Sequence, residues 1–303
     1  QVTIAGESAG GFSVTTLLGS DRAQGLFHRA IPQSGAAHHT LTKTTGQQVT
    51  RLFMEELNAY DLQHIQAASV LDILEAQQRT SAAFEKTGLG NGVQAFYPVE
   101  GNEVIPKSLL AAIQSGVGAG VPVLTGTNKD EASLFIFQEV NPSQLNEQVE
   151  GLGGGPELIA AYKKIYPAAT TTEIAIAIST DFTFKVPAIR LAEARQAVGA
   201  ETHLYQFDWE SRTGHLKATH ALEIPFAFNT LQSAGVKLFI GDGPLPQALA
   251  DDMHQTWTTF IKGQRLDWPG YDTARRATMH FNTTSHLVEN GELDILNAWQ
   301  ALR

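Results

Sequence analysis

Apolar and polar positions along this chain follow two patterns, which predict two kinds of element. Short apolar runs closed by turn residues predict buried β-strands, because a strand that is covered on both faces needs no polar side. These runs lie at residues 2–5, 28–33, 122–127, 202–207 and 276–281. The last of them, RATMHF, fits either a final strand or one arm of a hairpin.

Longer stretches repeat an apolar residue every three or four positions, which is typical of amphipathic helices. They lie at residues 9–19, 45–59, 66–80, 131–138, 142–149, 156–165, 172–197, 246–262 and 293–303. Because helices mostly separate the strands, we predict an α/β fold with a mostly parallel sheet and helices on both faces. The stretch GLGGGP at 151–156 lacks a Walker-type lysine and is interpreted as a flexible surface loop.

Composition narrows the possible classes of function. With 43% hydrophobic residues among 303, the chain can bury a large core. It contains no cysteine, which excludes disulfides and a cysteine nucleophile and fits a reducing compartment such as the cytoplasm. The net charge of -10 and the lack of a basic run argue against a nucleic-acid partner, and no apolar run is long enough for a membrane span.

The segment AGESAGG at 5–11 places Ser8 between Gly6 and Gly10, where a predicted strand turns directly into a predicted helix. This G-x-S-x-G pattern is typical of a nucleophile elbow, in which a strained tip residue projects its side chain above the helix N-terminus. Unpaired N–H groups and the helix dipole favour developing negative charge there. We therefore predict that Ser8 is a nucleophile; the alternative is a glycine-rich turn that holds an incidental serine.

A nucleophilic serine needs a base to take its proton, and the base needs an acid to orient it. In doubly wound hydrolases the chain order is serine, acid, histidine, and the groups collect past the carboxyl ends of strands. One predicted strand leads into NKDEA, which offers Asp130 and Glu131 as acids. The next predicted strand, at 202–207, is followed by His215 and His220, which are the candidate bases. Order and position alone leave both acids and both histidines open.

Six motifs follow one another along the chain, namely AGESAGG, QSGAA, FYPVEGNEVIP, GTNKDEASLF, DFTFKVPAIRLA and THALEIPFAF. With them the chain resembles the type-B carboxylesterase family, which includes the cholinesterases, over essentially its whole length. The resemblance implies an α/β-hydrolase fold and a serine carboxylic ester hydrolase that forms an acyl-enzyme intermediate without metal or cofactor. It also implies Glu131 as the acid and His220 as the base that serve Ser8.

Other positions carry over from the same family. Glu7 resembles a glutamate that sets the electrostatics near the serine, Ser34 a serine that hydrogen-bonds around the acid–base pair, and Glu223 a glutamate beside the base. Leu134 and Phe135 follow the acid where the family lines its substrate pocket. Cholinesterases typically have an aromatic residue at the position of Leu134, so leucine favours an apolar acyl or alcohol pocket over a choline site.

The resemblance also implies an oxyanion hole, which needs at least two N–H donors. Ala9, directly after the nucleophile, would supply one, and the family takes others from an HGGG-type loop upstream of the elbow. This sequence begins seven residues before Ser8 and contains no HGGG. We therefore expect residues 1–303 to be the C-terminal portion of a single hydrolase domain that lacks its first strands, and to be poorly stable and essentially inactive alone.

Two other functions stay open at this stage. A non-catalytic, cholinesterase-like interaction module would typically lose a triad residue, whereas all three are present, and the lack of cysteine argues against an extracellular adhesion domain. A related serine hydrolase with lipid or peptide substrates is the other, because one scaffold permits many substrates. The partner we expect is a small-molecule ester, and the sequence does not indicate an oligomeric state.

Overall fold

The computed structural model describes residues 1–87 and 94–300. Its centre is a six-stranded sheet in which the spatial order of the strands equals their order in the sequence. The strands are β1 (Thr3–Glu7), β2 (Arg29–Gln33), β3 (Val123–Asn128), β4 (Thr202–Phe207), β5 (Thr278–Phe281) and β6 (His286–Val288). All neighbours pair in parallel except β5 and β6, which form an antiparallel pair. The predicted mostly parallel sheet is thus confirmed, and the last predicted strand is one arm of a hairpin.

The α-helices of the described residues surround this sheet or form small layers beside it. They are α1 (Ala9–Leu18), α2 (Lys43–Glu56), α3 (Leu62–Ala67), α4 (Val70–Glu85), α5 (Leu109–Gln114), α6 (Pro142–Gly151), α7 (Pro156–Ile165), α8 (Thr171–Thr180), α9 (Val186–Ala197), α10 (Ile224–Ala227), α11 (Val236–Ile240), α12 (Gln247–Ile261) and α13 (Leu293–Ala298). None of them is long and apolar enough to cross a membrane.

Successive residues of a strand point to opposite faces of a sheet, and the core follows this alternation. In β3, Val123 packs in a cluster with residues of α1, α5 and α9, whereas Leu124 packs in a second cluster with residues of α10 and α12. In β4, Leu204 and Tyr205 divide between the same two clusters. Burial of apolar side chains on both faces explains why these strands read as continuous apolar runs rather than as alternating ones.

Two predicted helices differ from the observed ones. The stretch 66–80 is interrupted at Ala68, because the Ser69 side chain accepts a hydrogen bond from the Asp72 N–H and so begins a new helix, α4. The predicted helix at 131–138 is a single 3₁₀ turn, Glu131–Leu134. The Ala132 N–H there donates to the Thr180 hydroxyl, so tertiary contacts replace the helical pattern. Of the predicted helix 293–303, residues 301–303 lie outside the described part.

The parallel register brings several strand ends to one edge of the sheet. Glu7 at the end of β1 aligns with Gln33 at the end of β2, and Asn128 at the end of β3 aligns with Phe207 at the end of β4. Parallel sheets place their ligand-facing residues past these carboxyl ends. The segments that follow β1, β2, β3 and β4 carry Ser8, Ser34, Glu131 and His220, respectively.

Candidate active site

Ser8 lies at a sharp corner between β1 and α1. Its backbone has φ 55° and ψ -119°, a strained conformation for a residue with a side chain. The corner is tight because a Cβ atom on Gly6 would lie 2.4 Å from the carbonyl carbon of Gly10. A Cβ on Gly10 itself would meet nothing within 4 Å, so the close approach requires glycine at the first position rather than the second. The Ser8 N–H donates to the carbonyl of Gln33 at 3.0 Å, which joins the corner to β2.

The Ser8 side chain is partly exposed and makes no hydrogen bond with any residue of the described ranges. Ala9 follows as the exposed first residue of α1. The first N–H groups of a helix have no intrahelical partner, and the helix dipole adds partial positive charge there. The N–H of Ala9 belongs to this first helical turn.

The carboxylate of Glu131 and the imidazole of His220 form a short contact, with 2.6 Å between Oε2 and Nδ1. Glu131 is fully buried, and its other oxygen accepts hydrogen bonds from the Asn128 N–H at 2.7 Å and the Ser34 hydroxyl at 2.6 Å. These donors satisfy a charge that would otherwise be costly to bury. They also fix the carboxylate in the orientation that holds the imidazole.

His220 is held through its backbone as well as its ring. Its N–H donates to the Glu131 carbonyl at 3.3 Å, and Ala221 after it has φ 64°, so the loop turns sharply at this point. The other candidate base, His215, and the other candidate acid, Asp130, lie elsewhere. His215 is exposed on a 3₁₀ turn, and the carboxylate of Asp130 accepts from the Ala218 N–H at 3.4 Å rather than from an imidazole.

The second ring nitrogen of His220 faces the residue that precedes Ser8. Its Nε2 lies 3.2 Å from Oε1 of Glu7. Burial raises the pKa of Glu7 to about 7, the positive charge of His220 opposes that rise, and the negative charge of Glu131 adds to it. Glu7 thus lies in direct contact with the imidazole and beside the serine.

Opposing effects act on the pKa of His220. Burial lowers it, but the hydrogen bond to Glu131 and the negative charges of Glu131, Glu7 and Glu223 outweigh that effect and raise it to about 9. The imidazole is 5% exposed and therefore poorly screened by water. The surrounding carboxylates therefore stabilise the protonated form of the imidazole.

Glu223 is fully buried one turn after His220 and is bound by two neutral amides. The side chains of Gln33 and Asn128 donate to its two oxygens at 3.0 and 2.7 Å. Burial raises the pKa of Glu223 to about 7, and the negative charges of Glu131 and Glu7 add to the rise, while the bond from Asn128 opposes it. Its negative charge contributes to the high pKa of His220.

Aromatic side chains surround the imidazole on its remaining sides. The Phe135 ring, which belongs to a 57% exposed residue, has its centroid 5.4 Å from that of His220. Leu134 before it is half-buried. The buried Phe184 ring approaches His220 at 4.9 Å and belongs to a π-helical segment, Asp181–Lys185, between α8 and α9. The apolar contacts restrict the rotation of the imidazole and exclude water from one side of it.

Sequence reasoning did not select four residues that contact this site, namely Gln33, Asn128, Phe184 and Trp257. Asn128 belongs to the NKDEA segment, but its neutral amide cannot act as the acid that a catalytic histidine needs, so the pattern does not indicate it. Trp257, on the distant helix α12, donates from its indole N–H to the side-chain amide oxygen of Gln33 at 3.0 Å. No local pattern in the sequence indicates that contact.

Comparisons with known proteins identify the family of this chain. The family model described as "Carboxylesterase family" matches residues 1–294. The para-nitrobenzyl esterase of Bacillus subtilis is 32% identical over 293 residues, and the phenmedipham hydrolase of Pseudarthrobacter oxydans is 29% identical over 275 residues. These alignments cover 92% and 86% of this chain.

Solved structures give the same result. A carboxylesterase of Geobacillus stearothermophilus, determined at pH 6.2, matches with a TM-score of 0.83 at 31% identity over 98% of this chain and 64% of its own. The chain spans 58% and 54% of the length of the two curated relatives. Since the family model and these relatives match almost the whole sequence, the chain belongs to the carboxylesterase family.

Proposed function

We propose that this chain carries the catalytic residues of a serine carboxylic ester hydrolase, with Ser8 as nucleophile, His220 as base and Glu131 as the acid that orients it. One observation supports the proposal above the others. The two nitrogens of a single imidazole contact Glu131 on one side and Glu7, the neighbour of Ser8, on the other. The base therefore lies between its orienting acid and the elbow.

The reaction follows from these roles. Ser8 Oγ attacks the ester carbonyl while the neutral form of His220 takes the hydroxyl proton at Nε2. The carbonyl oxygen becomes negative and meets the N–H of Ala9. His220 then gives the proton to the leaving alcohol, which yields an acyl group on Ser8. Water, deprotonated by the same imidazole, hydrolyses the acyl-enzyme and restores the serine.

Ser34 and Glu131 act as a pair in this proposal. The Ser34 hydroxyl and the Asn128 N–H hold one carboxylate oxygen, and the other receives the Nδ1–H of His220. The imidazolium that forms during the reaction is thus stabilised by a carboxylate that cannot rotate away.

A fluorophosphonate probe tests this function without knowledge of the substrate, because it reacts with activated serines. We expect the probe to label the peptide that contains Ser8 and to label neither Ser8→Ala nor His220→Ala. Ser13→Ala is the matched control, because Ser13 lies on the same helix and bonds only to the Ala9 carbonyl, at 2.8 Å. Loss of labelling in the control, or labelling of Ser8→Ala at the wild-type rate, would contradict the proposal.

The substrate class we propose is a small uncharged ester. The Bacillus subtilis relative is a para-nitrobenzyl esterase, which makes a para-nitrobenzyl ester a suitable first test. Hydrolysis is measured by release of the alcohol, with Ser8→Ala as the blank. Turnover of long-chain acylglycerols or peptides at higher kcat/KM would instead support a lipid or peptide hydrolase.

We also propose that the chain alone turns over slowly. Ala9 supplies one oxyanion donor, and the sequence contains no HGGG motif to supply the others. Loss of one donor typically lowers kcat by about 100- to 1,000-fold. The test compares residues 1–303 with the same chain extended by the upstream coding sequence. Equal turnover by the two proteins would show that residues within 1–303 complete the oxyanion hole.

A further inference from the structure

Asn128, the last residue of β3, contacts both buried carboxylates that lie near His220. Its backbone N–H donates to Glu131 at 2.7 Å, and its side-chain amide donates to Glu223 at 2.7 Å. The same amide nitrogen donates to the carbonyl of Thr219, directly before His220, at 2.6 Å. One fully buried residue thus joins the acid, the second carboxylate and the backbone of the base.

The orientation of this amide is fixed by its neighbours. Both hydrogens of the nitrogen point to acceptors, so a flipped amide would bring its oxygen against a carboxylate and a carbonyl. The amide oxygen has no partner in the described part of the chain.

Neutral hydrogen-bond donors stabilise the negative charge of Glu223. Asn128 binds one oxygen, and Gln33, itself oriented by the Trp257 indole, binds the other. Glu223 forms no ion pair with lysine or arginine within residues 1–87 and 94–300. The titratable groups that face His220 or Glu223 are the carboxyls of Glu7 and Glu131 and the phenol of Tyr205.

We propose that Asn128 is a positioning residue of the esterase reaction: it keeps Glu223 ionised beside His220 and thereby sets the pH at which the base gives up its proton. The proposal rests on the function proposed for His220. It assigns the effect to a neutral amide that acts through a carboxylate and does not touch the substrate.

Two substitutions distinguish this positioning role from a purely structural role. Asn128→Leu keeps the branched shape and the number of side-chain heavy atoms but removes both side-chain donors. Glu223 therefore holds its proton to higher pH, and less negative charge lies beside the imidazole. We expect the midpoint of His220 titration to fall by about half a pH unit or more. Glu223→Gln removes the charge directly and should lower the midpoint in the same direction. In the double variant, Asn128→Leu should add nothing further, because its target is gone.

The experiment follows the His220 imidazole by NMR across pH in the full 303-residue chain, which needs no turnover. Thr125→Val is the matched control, because Thr125 is fully buried on the same strand and its hydroxyl donates to the Pro32 carbonyl at 2.8 Å. It should lower stability and leave the midpoint unchanged. If Asn128→Leu does not fold, Asn128→Ser serves, since its hydroxyl is too short to reach the Glu223 carboxylate.

A folded Asn128 variant whose His220 titrates with the wild-type midpoint overturns the proposal. The proposal is also overturned if the Asn128 substitution shifts that midpoint equally in the presence and absence of Glu223→Gln. If neither Asn128 variant folds, an unchanged midpoint in Glu223→Gln overturns it, and a lowered one supports it. Fluorophosphonate labelling is measured in parallel. Absence of Ser8 labelling would reject the esterase function, whereas the titration by itself decides the role of Asn128.

Discussion

The Nε2 atom of His220 lies 3.2 Å from Oε1 of Glu7, so the imidazole of the resting protein contacts the residue before the nucleophile. In the proposed reaction this nitrogen must serve Ser8. Glu7 therefore has two effects, since it stabilises the protonated imidazole and competes with the serine for it. The first effect favours proton transfer from Ser8 to His220, whereas the second opposes it in the absence of substrate.

Glu7→Gln should lower the pH at which His220 is half protonated. The negative charge of Glu7 helps to raise the pKa of His220 to about 9, so its removal should lower the midpoint by about 1 pH unit. The pH profile of fluorophosphonate labelling and NMR of the imidazole measure this. Glu103→Gln, whose side chain is 86% exposed and paired with Arg22, should change neither profile. A midpoint that rises or stays the same would contradict this role of Glu7.

The stability of the fold should decrease as pH rises from 6.5 to 9. The pKa of His220 is raised from 6.5 to about 9, so its contribution to stability is complete below 6.5 and is lost as pH rises through 9. The pKa values of Glu7 and Glu223 are raised from 4.5 to about 7, so their contributions are also lost as pH rises through 7. Urea unfolding at both pH values measures the difference, and His220→Gln should reduce it. A free energy of unfolding that increases over this range would contradict the assignment.

The two glycines that flank Ser8 should respond differently to alanine. Gly6→Ala places a Cβ 2.4 Å from backbone atoms and should lower the free energy of unfolding by about 1–3 kcal/mol. Gly10→Ala meets open space within helix α1 and should raise it by about 0.5–1 kcal/mol. Chemical denaturation of both variants tests the contrast. Equal destabilisation would show that the corner is looser than its geometry indicates.

The residues after Glu131 should favour uncharged esters. Phe135 lies against His220, and Leu134 offers no aromatic face to a cation. We expect a higher kcat/KM for p-nitrophenyl butyrate than for acetylthiocholine, and Leu134→Trp should narrow the difference. Leu26→Trp, at a 69% exposed position after α1, is the control. A wild-type preference for the choline ester would show that another aromatic group binds the cation.

The local pattern of residue types was sufficient to predict the strands of the parallel sheet and the elbow at Ser8. Apolar runs located the strands of the parallel sheet, and the glycines around Ser8 located the elbow, because burial and close approach restrict which residue types fit. The pairing of Glu131 with His220 came from the resemblance to a family rather than from spacing, since Asp130 and His215 satisfied the same order. Helical periodicity failed at 131–138, where Ala132 bonds to Thr180 across a loop rather than within its own segment.

Only the tertiary structure decided how the site residues are held. Asn128 of β3 and Gln33 of β2 donate to Glu223, and Trp257 of α12 donates to Gln33. These contacts exist because parallel strands end at one edge of the sheet and a helix packs across it. Amides carry no charge and no periodic signal, so a sequence gives no reason to select them. The protonation of His220 likewise depends on burial and on three carboxylates from separate segments. Sequence determines which groups are available, whereas distance and dielectric environment determine their chemistry.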